Sequence, residues 1–141
     1  MDRILALDVG EATLGVAVSD SLGLTAQPIT TIRRSGMKED LRAISRLIEE
    51  HAATTILVGM PLRMSGEAGT AAAEVEVFVG KLRTRLALPV ITWDERLSTV
   101  QAERALLEAD LSRRKRREVI NQVAAAIILQ SYLDSRPRAD G

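Results

Sequence analysis

The 141-residue chain contains no cysteine and only three aromatic residues, Phe78, Trp93 and Tyr132. Without cysteine there can be no disulfide, no thiolate metal ligand and no cysteine nucleophile. With so few aromatic rings, we do not expect the stacking platforms that bind single-stranded nucleic acid without sequence preference. The formal net charge is zero, so a polyanionic partner would have to be recognised by a local cluster of charges.

The chain also lacks an apolar run of the roughly 18 residues that a membrane-spanning helix needs, and no leader pattern precedes Arg3. We therefore expect a cytoplasmic protein with no membrane partner. The composition, 46% hydrophobic and 27% charged, is typical of a globular protein. Because domains commonly run about 100–200 residues, we expect one domain over residues 1–135 and a loose tail over residues 136–141.

The stretch RILALDV at residues 3–9 predicts a central strand, because side chains on both of its faces are apolar until Asp8. An ionised carboxylate at the end of a buried strand needs a cation or hydrogen-bond donors. Two interpretations of Asp8 stay open at this point. It caps the following turn through backbone donors of residues 10–13, or it is a metal ligand at the carboxyl edge of a sheet.

The order of the predicted elements is β-β-β-α-β-α-β-α-α. Alternating apolar residues predict the strands, and apolar residues spaced three and four apart predict the helices. Pro28 cannot donate a hydrogen bond to a neighbouring strand, which places the third strand at an edge. The strands are predicted at 3–9, 13–19, 24–32, 54–59 and 89–93, and the helices at 37–51, 70–86, 98–109 and 118–135. This order predicts an α/β fold with a five-stranded mixed sheet, three antiparallel and then two parallel strands, flanked by helices, and it resembles the ribonuclease H-like fold.

Asp8 and Glu95 would meet if the first and fifth strands run in the same direction, because active groups gather beyond the carboxyl ends of parallel strands. Two adjacent carboxylates repel each other without a cation, and Mg²⁺ or Mn²⁺ suits such oxygen ligands. Two such ions about 3.5–4 Å apart can stabilise both the attacking and the leaving oxygen of a phosphodiester displacement. The alternative is that Asp94 or Glu95 only favours a helix N-terminus.

The basic run RRKRR at residues 113–117 is a candidate phosphate-binding segment, whose affinity would fall with salt. Alternatively, the run is a mobile linker before a helix that begins near Arg117. Arg33, Arg34 and Arg63 could extend the basic patch. The nucleic-acid-binding residues that we predict are Arg63, Arg113, Arg114, Lys115, Arg116 and Arg117.

Several separated motifs resemble the YqgF/RuvX family, and the resemblance runs from Arg3 to about residue 134. They are LALDVGEATLGVAVSD, ILVGMPLRMSGEAG, WDERLSTVQAE and VINQVAAAIILQSYLD. The resemblance implies a ribonuclease H-like nuclease that matures the 5′ end of pre-16S ribosomal RNA, in a family also described as Holliday-junction resolvase-like. Family acidic residues correspond to Asp8 and Glu95.

The third family carboxylate is replaced by Asn121, whose amide oxygen is a neutral and weaker ligand. Natural variation with a metal held by fewer charges, an inactivating change, or a carboxylate from Glu118 one helical turn earlier would each account for this. A polar residue beside a buried helix face needs a partner, so we predict that Asn121 still lines the site. The catalytic and metal-binding set that we predict is Asp8, Glu95 and Asn121.

The sequence as a whole predicts a nuclease that depends on Mg²⁺ or Mn²⁺ and acts on pre-rRNA or on branched DNA, and we consider a homodimer. A nucleic-acid-binding protein with weak or no catalysis is the alternative that Asn121 suggests. A sugar-kinase or actin-like ATPase is a third hypothesis, since the DVGEATLGVA turn is similar to their phosphate-binding turn. Those ATPases need two lobes, however, and this chain has the length of one.

Overall fold

The computed structural model describes residues 2–63, 65–110 and 113–137, and the side chains of residues 110–118 lie outside the description. Of the predicted C-terminal tail, residues 138–141 also lie outside it. The elements are β1 (Arg3–Val9), β2 (Thr13–Ser19), β3 (Ala26–Arg33), α1 (Met37–His51), β4 (Ala53–Met60), α2 (Thr70–Arg85), β5 (Val90–Asp94), a short 3₁₀ helix (Glu95–Leu97), α3 (Val100–Asp110) and α4 (Arg113–Ser135).

The five strands form one mixed sheet in the order β3-β2-β1-β4-β5. The first three strands are antiparallel neighbours, whereas β1 pairs with β4 and β4 pairs with β5 in parallel. The predicted fold class is confirmed. Pro28 lies in β3, at the edge of the sheet, as its missing backbone donor requires.

The two faces of β1 serve two separate hydrophobic cores. Leu5 and Leu7 pack into the core that contains buried residues of α1 and α2, while Ile4 and Ala6 pack into the core that contains residues of α3 and α4. Because side chains alternate along a strand, Asp8 follows Ile4 and Ala6 onto the second face. The strand pattern therefore aims Asp8 at the layer formed by α3 and α4.

Helix α4 begins at Arg113, five residues earlier than the predicted start at residue 118. The linker interpretation of residues 113–117 is therefore wrong for the backbone. Arginine and lysine have high intrinsic helix propensity, which offsets a dipole penalty of about 0.3–1 kcal/mol for each cation near the first turn. Among the residues that the structure covers, none of the helices has the length and apolar character needed to cross a bilayer.

Candidate active site

Asp8 lies near the carboxyl end of β1, with 7% of its surface exposed. Its Oδ1 accepts a hydrogen bond of 2.6 Å from Nη2 of Arg104, on α3. The partner of Asp8 is thus a side chain 96 positions away in the sequence. The structure shows no backbone cap of the following turn by Asp8 within the described residues, where Gly10 N–H instead bonds to the carbonyl of Thr13 at 2.9 Å.

Glu95 is the first residue of the 3₁₀ helix that follows β5, and it is 2% exposed. Asp94 caps this helix, because its Oδ1 accepts a hydrogen bond of 2.9 Å from the backbone N–H of Arg96. Space for the Glu95 side chain exists on the neighbouring strand because residue 59 is glycine. A Cβ at Gly59 would lie 2.9 Å from Glu95 Oε2.

Arg104 joins the two buried carboxylates. Its Nη1 lies 3.3 Å from Glu95 Oε1, while its Nη2 contacts Asp8. Because the terminal nitrogens of one guanidinium are about 2.3 Å apart, the two contacted oxygens lie within about 8 Å of each other. The structure therefore brings Asp8 and Glu95 together at the carboxyl edge of the sheet.

Burial dominates the electrostatics of both acids. Burial raises the pKa of Asp8, against the opposing effect of the Arg104 charge. Burial also raises the pKa of Glu95, and the negative charge of Asp8 adds to that increase. Burial alone would lower the pKa of Arg104, but the charges of Asp8 and then Glu95 outweigh it and raise the pKa. Both buried carboxylates are therefore stabilised when a proton or a cation binds to them.

Asn121 reaches the same region from α4. Its Nδ2 donates a hydrogen bond of 2.6 Å to Thr13 Oγ1, on β2. The Asn121 backbone lies against Gly15, where a Cβ would overlap the Asn121 carbonyl, and Gly15 is the register partner of Asp8 on the adjacent strand. Since directly opposed residues share a face of the sheet, Asn121 lies on the face to which Asp8 points. With Nδ2 engaged, Oδ1 of Asn121 remains as an acceptor.

Of the other predicted residues whose side chains the structure describes, Arg63 and Arg34 are not among the contacts of Asp8 and Glu95. Arg63 is exposed in the loop after β4, and its guanidinium lies over Gly69, with Nε 2.7 Å from the position of a Cβ there. Arg34 is part of the scaffold, since it pairs with buried Asp40 at 3.2 Å. The side chains of Arg113, Arg114, Lys115, Arg116, Arg117 and Glu118 lie outside the described residues.

The donor set fits a hard divalent cation. Asp8 Oδ2 and Glu95 Oε2 receive no hydrogen bond from any side chain or backbone group that the structure describes, which leaves two buried carboxylate oxygens without a donor. Carboxylate and amide oxygens are typical ligands of Mg²⁺ and Mn²⁺. Within the described side chains, no group of three His, Cys, Asp or Glu residues could hold a metal, so a third protein ligand from that region would be the amide of Asn121.

Arg104 is a site residue that the sequence motifs did not reveal. Two buried carboxylates at one place require a nearby cation, and Arg104 follows the fully buried Val100 by four positions. Residues four apart share a helix face, so Arg104 belongs to the side of α3 that packs toward the sheet. This spacing could have placed Arg104 on the buried side of α3, but it does not show which carboxylates the guanidinium contacts.

Comparisons with known proteins give consistent results. The family described as "RuvX: Holliday junction resolvase" matches residues 2–135. A protein of Geobacillus kaustophilus named "Putative pre-16S rRNA nuclease" is 54% identical, over 95% of this chain and 99% of that protein, and one of the same name from Myxococcus xanthus is 52% identical, over 98% and 91%. The structure of Thermus thermophilus RuvC with a Holliday junction substrate superposes with a TM-score of 0.57 at 16% identity and covers 96% of each chain, which shows the shared fold.

Proposed function

This chain belongs to the RuvX family, and from that premise we propose that it is a divalent-metal-dependent nuclease that hydrolyses phosphodiester bonds in the 5′ region of pre-16S ribosomal RNA. The names of its relatives support the substrate. The observation that carries the proposal is the convergence of buried Asp8 and Glu95, from opposite ends of the chain, on a single guanidinium. A fold has little reason to bury two acids side by side unless a cation is part of their role.

In the proposed mechanism Asp8, Glu95 and the Asn121 amide would hold Mg²⁺ or Mn²⁺. Such an ion would supply Lewis acidity toward the phosphate and would lower the pKa of a bound water. Asp8 is oriented by β1, and Glu95 by the capped 3₁₀ helix. The hydrogen bond from Asn121 Nδ2 to Thr13 holds the amide group and leaves its Oδ1 as the acceptor that could bind the ion.

We also propose that cationic side chains bind the nucleic-acid backbone beside this centre. Arg63 is exposed in the loop after β4, where it could reach a phosphate. Arg113, Arg114, Lys115, Arg116 and Arg117 are supported only by their charge and by their place in the first turns of α4. Phosphate contacts of this kind would make binding weaken with increasing salt.

Cleavage assays test the proposal directly. The protein is incubated with Mn²⁺ or Mg²⁺ and an RNA that spans the 5′ precursor region, as wild type, Asp8→Asn and Glu95→Gln. We expect each variant to lose about a hundredfold or more of the cleavage rate, because each weakens the metal site. The matched control is Glu39→Gln, which removes an exposed carboxylate on α1 that pairs with Arg42. Full cleavage by Asp8→Asn would eliminate the proposed mechanism.

Asn121 separates a weakened enzyme from a protein that binds without cutting. Aspartate has nearly the same size as asparagine, and the Thr13 hydroxyl can donate to it, so Asn121→Asp should fold normally. For a metal-dependent nuclease we expect cleavage to rise in this variant, because a charged ligand is added. Salt-sensitive RNA binding that persists in Asp8→Asn, with no cleavage by any variant, would support the binding function instead.

A second candidate activity is resolution of branched DNA, which the description of the matching family favours. The same proteins are offered a four-way DNA junction and the precursor RNA under identical conditions. Paired, symmetric nicks in the junction, at a rate exceeding RNA cleavage, would favour the resolvase activity. Cleavage of RNA alone would favour rRNA processing.

A further inference from the structure

Arg104 occupies an unusual position for a surface helix residue. It contacts the side chains of both proposed metal ligands, Asp8 and Glu95. The Asp8 side chain is 10% exposed and that of Glu95 is 3% exposed, whereas the Arg104 side chain is 29% exposed. One positive charge is therefore shared between two negative charges that are both almost completely buried. Part of the Arg104 side chain remains accessible to solvent.

We propose that Arg104 is a positioning residue that stands in for the metal in the metal-free protein and leaves at least one carboxylate when the ion binds. This inference rests on the proposed function, because it takes Asp8 and Glu95 as the metal ligands. It assigns to Arg104 a role before the reaction, namely keeping the two acids in place and neutralised until the ion arrives.

Leaving the two acids without a cation would be costly. Two buried carboxylates in contact range repel each other, and a buried charge without a partner is strongly destabilising. Arg104 relieves this repulsion through both of its terminal nitrogens, at 2.6 Å to Asp8 and 3.3 Å to Glu95. Without Arg104, the carboxylates of Asp8 and Glu95 in the metal-free site would move apart or take up protons.

The guanidinium and the ion compete for the same two carboxylates. Arg104 contacts Oδ1 of Asp8 and Oε1 of Glu95, and an ion held by the other oxygen of each acid would lie close to that guanidinium. A divalent ion next to a guanidinium is repelled, so binding has to weaken at least one of these ion pairs. The inference requires that the partly exposed Arg104 side chain rotate away from at least one carboxylate when the ion binds.

The test compares Mn²⁺ binding by wild type, Arg104→Gln and Arg104→Lys, measured by calorimetry and by electron paramagnetic resonance in the absence of nucleic acid. Because Arg104→Gln removes the competing charge, we expect Mn²⁺ to bind about tenfold more tightly, a change of about 1.4 kcal/mol. Arg104→Lys keeps the charge but cannot bridge both acids, so we expect an intermediate affinity. The control Arg42→Gln removes an arginine from an exposed ion pair and should bind Mn²⁺ like wild type.

Thermal unfolding in the presence of a chelator provides the second measurement. Arg104→Gln should unfold at a lower temperature than wild type without metal, and Mn²⁺ should raise its midpoint more than it raises that of wild type. In the wild-type protein, the guanidinium nitrogen resonances of Arg104 should shift when Mg²⁺ is added. This last readout needs no variant, so it holds even if a substitution prevents folding.

The outcomes separate this inference from the proposed function. Two results would overturn the role of Arg104 as a stand-in for the metal and leave the nuclease proposal intact. One is Mn²⁺ binding by folded Arg104→Gln that is unchanged or weaker than that of wild type. The other is that the Arg104 resonances of the wild-type protein do not shift although the protein binds Mg²⁺. Failure of every protein to bind Mn²⁺ or Mg²⁺ would overturn the metal-dependent function, and this inference with it.

Discussion

Helix α4 lies directly against the sheet at Gly15, which makes Gly15→Ala an informative perturbation. A Cβ at residue 15 would overlap the backbone carbonyl of Asn121 and would lie 3.0 Å from the backbone nitrogen of Gln122. Backbone atoms inside a helix cannot rotate aside as the end of a side chain can. The substitution must therefore push α4 away from β2.

The expected cost is that of overpacking a core with one methyl group. Such insertions cost about 1–3 kcal/mol, and we expect the upper part of this range because the obstacle is backbone. Gly80 supplies a matched control. It lies within α2, and a Cβ added there would meet nothing within 4 Å, so Gly80→Ala should stabilise the protein by about 0.5–1 kcal/mol through helix propensity.

Urea unfolding of wild type, Gly15→Ala and Gly80→Ala measures both effects in one experiment. The two alanine substitutions add the same atoms, so opposite signs of the change would isolate the close approach of α4. Displacement of α4 should also disrupt the hydrogen bond between Asn121 and Thr13, which is observable in the amide resonances of the Asn121 side chain. A Gly15→Ala protein within about 0.5 kcal/mol of wild type would refute the packing argument.

Three further predictions concern single contacts. Gly59→Ala places a Cβ 2.8 Å from Cδ1 of the buried Ile128 and 2.9 Å from Glu95 Oε2, so we expect a stability loss of about 1–3 kcal/mol in urea unfolding and a cleavage rate reduced about tenfold or more. Asp40→Ala removes a carboxylate that is 1% exposed and accepts two hydrogen bonds, so unfolding should show a loss of about 2–3 kcal/mol. The hydrogen bond from Leu24 N–H lowers the pKa of Asp20 from 3.8, so the stability lost in Asp20→Asn should be present near pH 7 and vanish as pH falls through the lowered pKa.

Each of these predictions has a result that would contradict it. Cleavage by Gly59→Ala equal to wild type would mean that Glu95 need not keep its position. Wild-type stability of Asp40→Ala would mean that its ion pair and backbone hydrogen bond contribute nothing. For Asp20, the direction of the pH dependence is the test. A pKa that is lower in the folded than in the unfolded protein stabilises the native state only at higher pH, so a stability difference that does not shrink as the pH falls below 3.8 would be inconsistent with it.

Much of the fold could be predicted because its signals are local. The alternation of apolar residues along β1 determines which side chains face which core, and Pro28 marks β3 as an edge strand. Asp8 and Glu95 could be identified as candidate site residues for a related reason. A carboxylate at the end of an apolar strand is a charged group where the sequence otherwise places apolar residues, and this is visible in the sequence alone.

Helix boundaries and turns were predicted less well. The last helix was predicted to start at residue 118, whereas α4 begins at Arg113, because the helix propensity of arginine and lysine offsets the unfavourable interaction of these cations with the helix dipole. Asp94 and Glu95 were predicted to follow the end of a strand, with a helix N-terminus as the alternative role for either. The structure gives that role to Asp94, which caps the 3₁₀ helix, while Glu95 is buried and contacts Arg104.

The sequence by itself determined the alternation of strands and helices and the presence of two misplaced acids, because hydrophobic periodicity and the cost of burying charge act over a few residues. Only the tertiary structure decided that Arg104 joins Asp8 to Glu95 and that α4 lies on Gly15. These contacts depend on how α3 and α4 pack against the sheet. Packing of that kind is set by the shapes of surfaces distant in the chain, which no local pattern encodes.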